Sequence, residues 1–143
     1  MAEVLASASA IAGLVSLAVQ LSQISFGYIS NVMGASKAQK SYLQELSALT
    51  STLLQLQQAI DLPGTDQLVG LQNSALSKVA IDECINSLNL LKSKLEKKAL
   101  KEGMNAKFSA LTWPFDEKET KRVVESLHRY HSLFASAISA DNL

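Results

Sequence analysis

Residues 4–36, VLASASAIAGLVSLAVQLSQISFGYISNVMGAS, carry no ionisable side chain except that of Tyr28, and only Glu3 precedes the run. All thirteen lysines and arginines come after it. A bilayer is crossed by about 20 apolar residues, so the run is long enough for lipid. Its texture is unlike that of a simple anchor: Ala6 to Ala10 alternate with serine, Ala12-Gly13 are small, and Gln20, Ser22, Gln23, Ser25, Ser30 and Asn31 interrupt the hydrophobes. The larger apolar residues are Ile11, Leu14, Val15, Leu17, Val19, Leu21, Ile24, Phe26, Tyr28, Ile29 and Val32. At 100° per residue they cover most of a helix circumference. The pattern predicts a helix over residues 3–33 that is either central in a bundle or embedded in a membrane.

Outward from this run, the rest of the chain reads as three more helices. Gly34-Ala35 ends the first, and Ser36 with Gln39 three residues on forms a capping box for a helix over 37–60. Tyr42, Leu46, Leu49, Leu53, Leu56 and Ile60 make its single apolar stripe. Pro63-Gly64 breaks the chain, since proline lacks a donor and glycine tolerates positive φ. A third helical stretch is expected over 65–101, with a kink near 70–74 and the stripe Ile81, Cys84, Ile85, Leu88, Leu91, Leu95. Residues 103–115 read as a loop ending in Trp113-Pro114-Phe115. Asp116 with Glu119 is a second capping box, opening a helix to 139 striped by Val123, Val124, Leu127, Tyr130, Phe134 and Ile138. No alternating β pattern and no repeat interrupts this. The expected fold is an all-α antiparallel bundle of four main helices in one domain over 1–143, the first helix central.

Composition narrows the function classes. A formal net charge of zero supplies no field for nucleic acid, which is not expected as a partner. The single Cys84 excludes an intramolecular disulfide, fits a reducing intracellular setting and reads as a small core hydrophobe. The small Ala-Ser triplets precede the hydrophobic stretch and no basic segment leads it, which argues against a secretory signal. Enzymatic signals are sparse, and no cofactor or metal is expected. A glycine-rich phosphate loop is missing, and so is a Cys/His pair at zinc spacing. Glu125 and His128 match half of a di-iron bundle signature whose other half is lacking. Both read as surface residues, and His131 as a boundary residue beside the Leu127/Phe134 stripe.

Two features carry a functional alternative beside a structural one. Lys92, Lys94, Lys97, Lys98 and Lys101 crowd the end of the third helix, where cations favour the macrodipole and form a solvated face. The same lysines make a candidate patch for anionic lipid headgroups, worth about 1 kcal/mol each near the surface. Small residues recur every four positions in the first helix: Ala2, Ala6, Ala10 in one row and Ala8, Ala12, Ser16 in another, with Ser9 and Gly13 alongside. Such rows serve tight packing in a soluble bundle, or helix association in lipid.

The residues at both ends add a resemblance. Ala2-Glu3-Val4-Leu5 followed by Ser9-Ala10-Ile11-Ala12-Gly13-Leu14-Val15-Ser16-Leu17 is similar to the start of the HeLo-like domain, the N-terminal module of fungal NLR-type (STAND) immune receptors. Leu111-Thr112-Trp113-Pro114-Phe115, the charged helix over 117–129 and Ser139-Ala140-Asp141 agree at the far end, so the resemblance covers essentially the whole chain. The Trp-Pro-Phe element is its most specific part. The resemblance implies a bundle related to the HeLo domain and, more distantly, to the executioner domain of the mixed-lineage kinase-like pseudokinase. It implies a cell-death-inducing module, cytoplasmic at rest, that self-associates and inserts its first helix into the plasma membrane. Activation would come from a downstream nucleotide-binding module or an amyloid-type motif. The chain ends at Leu143 without either, which leaves a domain excised from a longer receptor, the favoured expectation, or a stand-alone protein triggered differently. On this reading the inserting residues are Ala10, Ile11, Gly13, Leu14, Val15, Leu17, Val19, Leu21, Ile24 and Phe26. The alternative is a soluble oligomerisation or adaptor module whose first helix stays buried.

Overall fold

The computed structural model describes residues 2–29, 34–61, 78–101 and 113–141. Within them the chain forms α1 (Ala2–Tyr28), α2 (Lys37–Asp61), α3 (Lys78–Lys101) and α4 (Glu117–Asp141), with no strand among the described residues. This is the all-α four-helix bundle that the periodicity predicts. Residues 62–77, which include the expected break at Pro63-Gly64, the start near Thr65 and the kink, lie outside the described residues, as do 102–112 of the expected loop.

Local chemistry fixes two helix starts. Ser36 Oγ accepts a hydrogen bond from the Gln39 amide at 3.1 Å, and Gln39 Oε1 accepts from the Ser36 amide at 3.2 Å. The Asp116/Glu119 box repeats this exchange before α4, at 2.7 Å and 3.5 Å. Each box satisfies two of the amides that a helix start leaves without partners. The described helix α1 ends at Tyr28, with Ile29 in a turn whose amide bonds to the Ser25 carbonyl at 2.9 Å; residues 30–33 of the expected helix lie outside the described residues. Gly27, weaker than alanine by about 1 kcal/mol as a helix former, stands just before this end.

Long-range contacts give the helix directions. Ser25 bonds to Tyr42 and Ser22 lies 3.5 Å from Thr50, so α1 and α2 run antiparallel. Gln20 meets Lys92 and Tyr28 meets Leu95, so α1 and α3 run parallel. Ser87 bonds to Tyr130 while Lys94 sits over the Phe115 ring, which makes α3 and α4 antiparallel. Direction thus alternates along the chain. The closest helix pairs, however, are α1/α2, α1/α3 and α2/α4. These pairs give the order α3–α1–α2–α4, in which α1, flanked by α2 and α3, shares the inner places with α2.

The predicted stripes meet inside. Tyr42, Leu46, Leu49, Leu53 and Leu56 of α2 are buried with Ile81, Cys84, Leu88, Leu91 and Leu95 of α3 and Leu127, Tyr130 and Phe134 of α4. Ile11, Leu14, Val15, Leu17, Ala18 and Leu21 of α1 join the same cluster. Trp113 packs against one end of it. Its ring lies 5.0 Å from Tyr42, 5.2 Å from Phe115 and 6.1 Å from Tyr28, and its indole N–H donates to Thr120 Oγ1 at 3.0 Å. The Trp-Pro-Phe element therefore ties the end of α1 to the starts of α2 and α4.

Candidate functional site

The residues singled out in α1 separate onto two faces. Ile11, Leu14, Val15, Leu17 and Leu21 are buried, and Ala10 and Ile24 are half-buried against the core. Ser9, Ala12, Gly13, Ser16, Val19, Gln20, Gln23 and Phe26 face solvent. Val19 is 37% exposed and Phe26 53%, so the apolar surface does continue around the helix as its sequence predicts. The small residues are the informative part. A Cβ placed on Gly13 meets nothing within 4 Å, and Ala12 and Ser16 are equally open. Close helix packing among the described residues does not account for these three. The side chains of Ala2, Ala6 and Ala8 lie outside the described ones.

Ser9–Tyr28 is a stretch of 20 residues with mean hydropathy 1.5, of which 39% is buried in the bundle. At 1.5 Å per residue such a helix spans about 30 Å, the thickness of a bilayer core. Length and hydropathy alone are shared by core helices of soluble proteins; in this one burial is incomplete and the described outer face is uncharged. Beside the outer face, Val19, Phe26 and Leu54 border a groove of about 430 Å³ between α1 and α2, floored by Leu43 and Leu46 and rimmed by Ser47, Thr50 and Ser51.

Polar anchors hold α1 in place. Among the described residues its cross-helix hydrogen bonds come from Gln20, Ser22, Ser25 and Tyr28. Ser25 and Tyr42 share a fully enclosed hydroxyl pair, and the Tyr28 hydroxyl donates to the Leu95 carbonyl at the far side. Burial pushes the Tyr42 phenol well above its ordinary range, with the Ser25 bond opposing in part. Burial likewise pushes the Cys84 thiol up to about 12, so it stays protonated and packs as a small hydrophobe.

The lysines of α3 do not act as one set. Lys92 is half-buried, donates to Gln20 Oε1 at 2.7 Å and pairs with Glu96 at 3.4 Å, so it works as a clamp between α3 and α1. Lys94 and Lys97 are exposed, Lys94 with its ammonium 5.9 Å from the Phe115 ring centroid. The side chains of Lys98 and Lys101 lie outside the described ones. The Lys92–Gln20 contact was not legible in the sequence, because 72 residues separate the partners. Comparison of the chain with protein-family models, with curated proteins and with solved structures finds no match.

Proposed function

We propose that this chain is a membrane-targeting, cell-death-inducing effector domain that acts when several copies assemble, release α1 from the bundle and insert it into a bilayer. The observation that carries this reading is the uncharged solvent face of α1, with Ala12, Gly13 and Ser16 open and Phe26 exposed, on a helix of bilayer length. A helix that only ever meets water on one side gains solubility from charges there, and from Val4 to Tyr28 α1 carries none. Open small residues suit helix-to-helix contact in lipid, where close backbone approach replaces the hydrophobic driving force. The HeLo-like sequence features support the same role at the N-terminus of a fungal NLR-type receptor, cytoplasmic at rest and at the plasma membrane when active. A downstream nucleotide-binding module or an amyloid-type activator would supply the assembly.

Energetics make assembly and lipid necessary. Withdrawing α1 exposes Ile11, Leu14, Val15, Leu17 and Leu21, now buried. At about 1.5–3 kcal/mol each this costs about 7–15 kcal/mol, as much as the whole stability of a typical domain, about 5–15 kcal/mol. Release into water is therefore equivalent to unfolding. A bilayer accepts the same side chains, and a tethered cluster of copies brings α1 helices to an effective concentration on the order of millimolar. Gln20 and Gln23 then hydrogen-bond between helices or line water. Exposed Lys94 and Lys97 sit on a helix that remains outside, where they attract anionic headgroups.

The test is dye release from anionic liposomes by the chain fused to an inducible oligomerisation module. Leakage on induction, and little before it, is the expected result; intact liposomes around folded, assembled protein would end this reading. A soluble adaptor with α1 permanently buried is favoured by one observation, the enclosed Ser25–Tyr42 and Tyr28–Leu95 bonds that tie α1 to both neighbours. It predicts assembly without leakage.

A further inference from the structure

Away from α1, the seam between α2 and α4 brings three side chains together. His128 and His131 stand one turn apart on α4, a spacing that puts both rings on one helix face, and Glu45 reaches them from α2. Glu45 Oε1 lies 3.1 Å from His128 Nδ1, Glu45 Oε2 lies 3.8 Å from His131 Nδ1, and the ligand atoms of all three residues fall within 4.8 Å of one another. The two rings meet edge to face, at 73°.

The second contact of this trio is unsatisfied. Glu45 Oε2 and His131 Nδ1 are both cut off from solvent, and neither has a hydrogen-bond partner. In the tautomer that carries the His131 proton on Nε2, two lone pairs face each other across 3.8 Å and repel, and a buried carboxylate oxygen without a partner is costly. A cation between them turns this conflict into attraction. Two imidazoles and one carboxylate are the donor set of open zinc sites, which keep a fourth position for water. The His128 side chain is 64% exposed, which leaves an entry path, whereas Glu45 and His131 are exposed only 23% and 30%.

We propose that Glu45, His128 and His131 bind a divalent transition metal of the zinc class and thereby clip α2 to α4. This inference is independent of what α1 does. The metal joins two of the three helices that remain when α1 leaves, so it stabilises the part of the bundle that is not released.

The test is titration of tag-free protein with Zn²⁺ alone, in competition with a chromophoric chelator, alongside NMR of the imidazole nitrogens. The chain has two histidines, so both signals are assignable. One zinc per chain should bind and shift both rings together, and the thermal midpoint should rise with zinc concentration. His131→Ala and Glu45→Gln should each weaken binding by at least about 10-fold, the smallest loss expected when even an outer partner of a metal is removed. Glu125→Gln, one turn before His128 and exposed, should leave binding unchanged. No binding, a shift of the His128 ring alone, or affinity retained in folded His131→Ala overturns the proposal. If that variant fails to fold, the two-ring shift in the unaltered protein decides the matter.

Discussion

α1 and α2 are helices of 27 and 25 residues that lie side by side and bury similar rows of leucine, yet their outer faces follow opposite rules. The outside of α2 is mostly polar: Lys37, Lys40, Gln44, Ser47, Ser51, Gln55 and Gln58, with Leu54 the large apolar exception. The described outside of α1 is uncharged, and small or apolar except for Gln20 and Gln23. The inner faces therefore report how the bundle folds, and the outer faces report which solvent each helix is suited to meet. α2 is built for water on one side. α1 is compatible with water, protein and lipid.

That contrast can be broken in graded steps. The largest effect is expected on the shared inner faces. Leu21→Ala in α1 and Leu49→Ala in α2 both empty fully buried sites, and each should cost about 2–5 kcal/mol in urea unfolding. If Leu21→Ala were far milder than Leu49→Ala, α1 would be a loosely held element at rest. Next come the outer faces. Ser16→Lys should leave folding stability within about 0.5 kcal/mol, as exposed substitutions do. In a bilayer it places a charge costing about 2.5–3.5 kcal/mol, and liposome leakage should fall on the order of 100-fold. Ser47→Lys on the outside of α2 should alter neither quantity; equal effects of the two lysines on leakage would erase the distinction.

Smaller effects sharpen the comparison. Asp116→Ala removes one half of the capping box of α4 and should cost about 1 kcal/mol while leaving leakage per folded molecule intact. Gly13→Leu meets open space, so thermal unfolding should show a gain of up to about 1 kcal/mol from helix propensity. The same side chain blocks close approach of α1 helices in lipid, and leakage should drop although the fold is firmer. The bundle should also weaken in alkali. Cys84 and Tyr42 hold their protons more tightly folded than unfolded, so their stabilisation is complete below the unfolded values and is lost as pH rises towards the folded ones. For Cys84 that window runs from 9.0 to about 12, with a slope of about 1.4 kcal/mol per pH unit, readable by alkaline unfolding followed by circular dichroism.

What the sequence made legible is what lies within a few residues. Ser36/Gln39 and Asp116/Glu119 name their own partners, and the leucine stripes of α2 and α3 select their buried faces through the 3.6-residue period. Periodicity gives a face without naming what covers it. Hence the side-by-side placing of α1 with α3, the Tyr28–Leu95 and Gln20–Lys92 bonds and the seating of Trp113 on Tyr28 and Tyr42 emerge only in three dimensions. Glu45 was invisible as a partner of His128 for the same reason: 83 residues separate them, while Glu125 is a near neighbour in sequence. In α1 the row of small residues was readable, but which solvent it meets was not. Ala12, Gly13 and Ser16 proved to be exposed, so their smallness answers no packing need among the described residues.

The central claim, that α1 leaves the bundle in order to act, has a direct test. Ser22 of α1 and Thr50 of α2 face each other with their hydroxyl oxygens 3.5 Å apart, and Cys84, the native cysteine, is buried. A Ser22→Cys/Thr50→Cys pair, oxidised to a disulfide, locks α1 onto α2, and a reductant frees it. Dye release from anionic liposomes by the assembled fusion should be absent while the lock is closed and return on reduction. Equal leakage from the locked and unlocked protein would contradict the account.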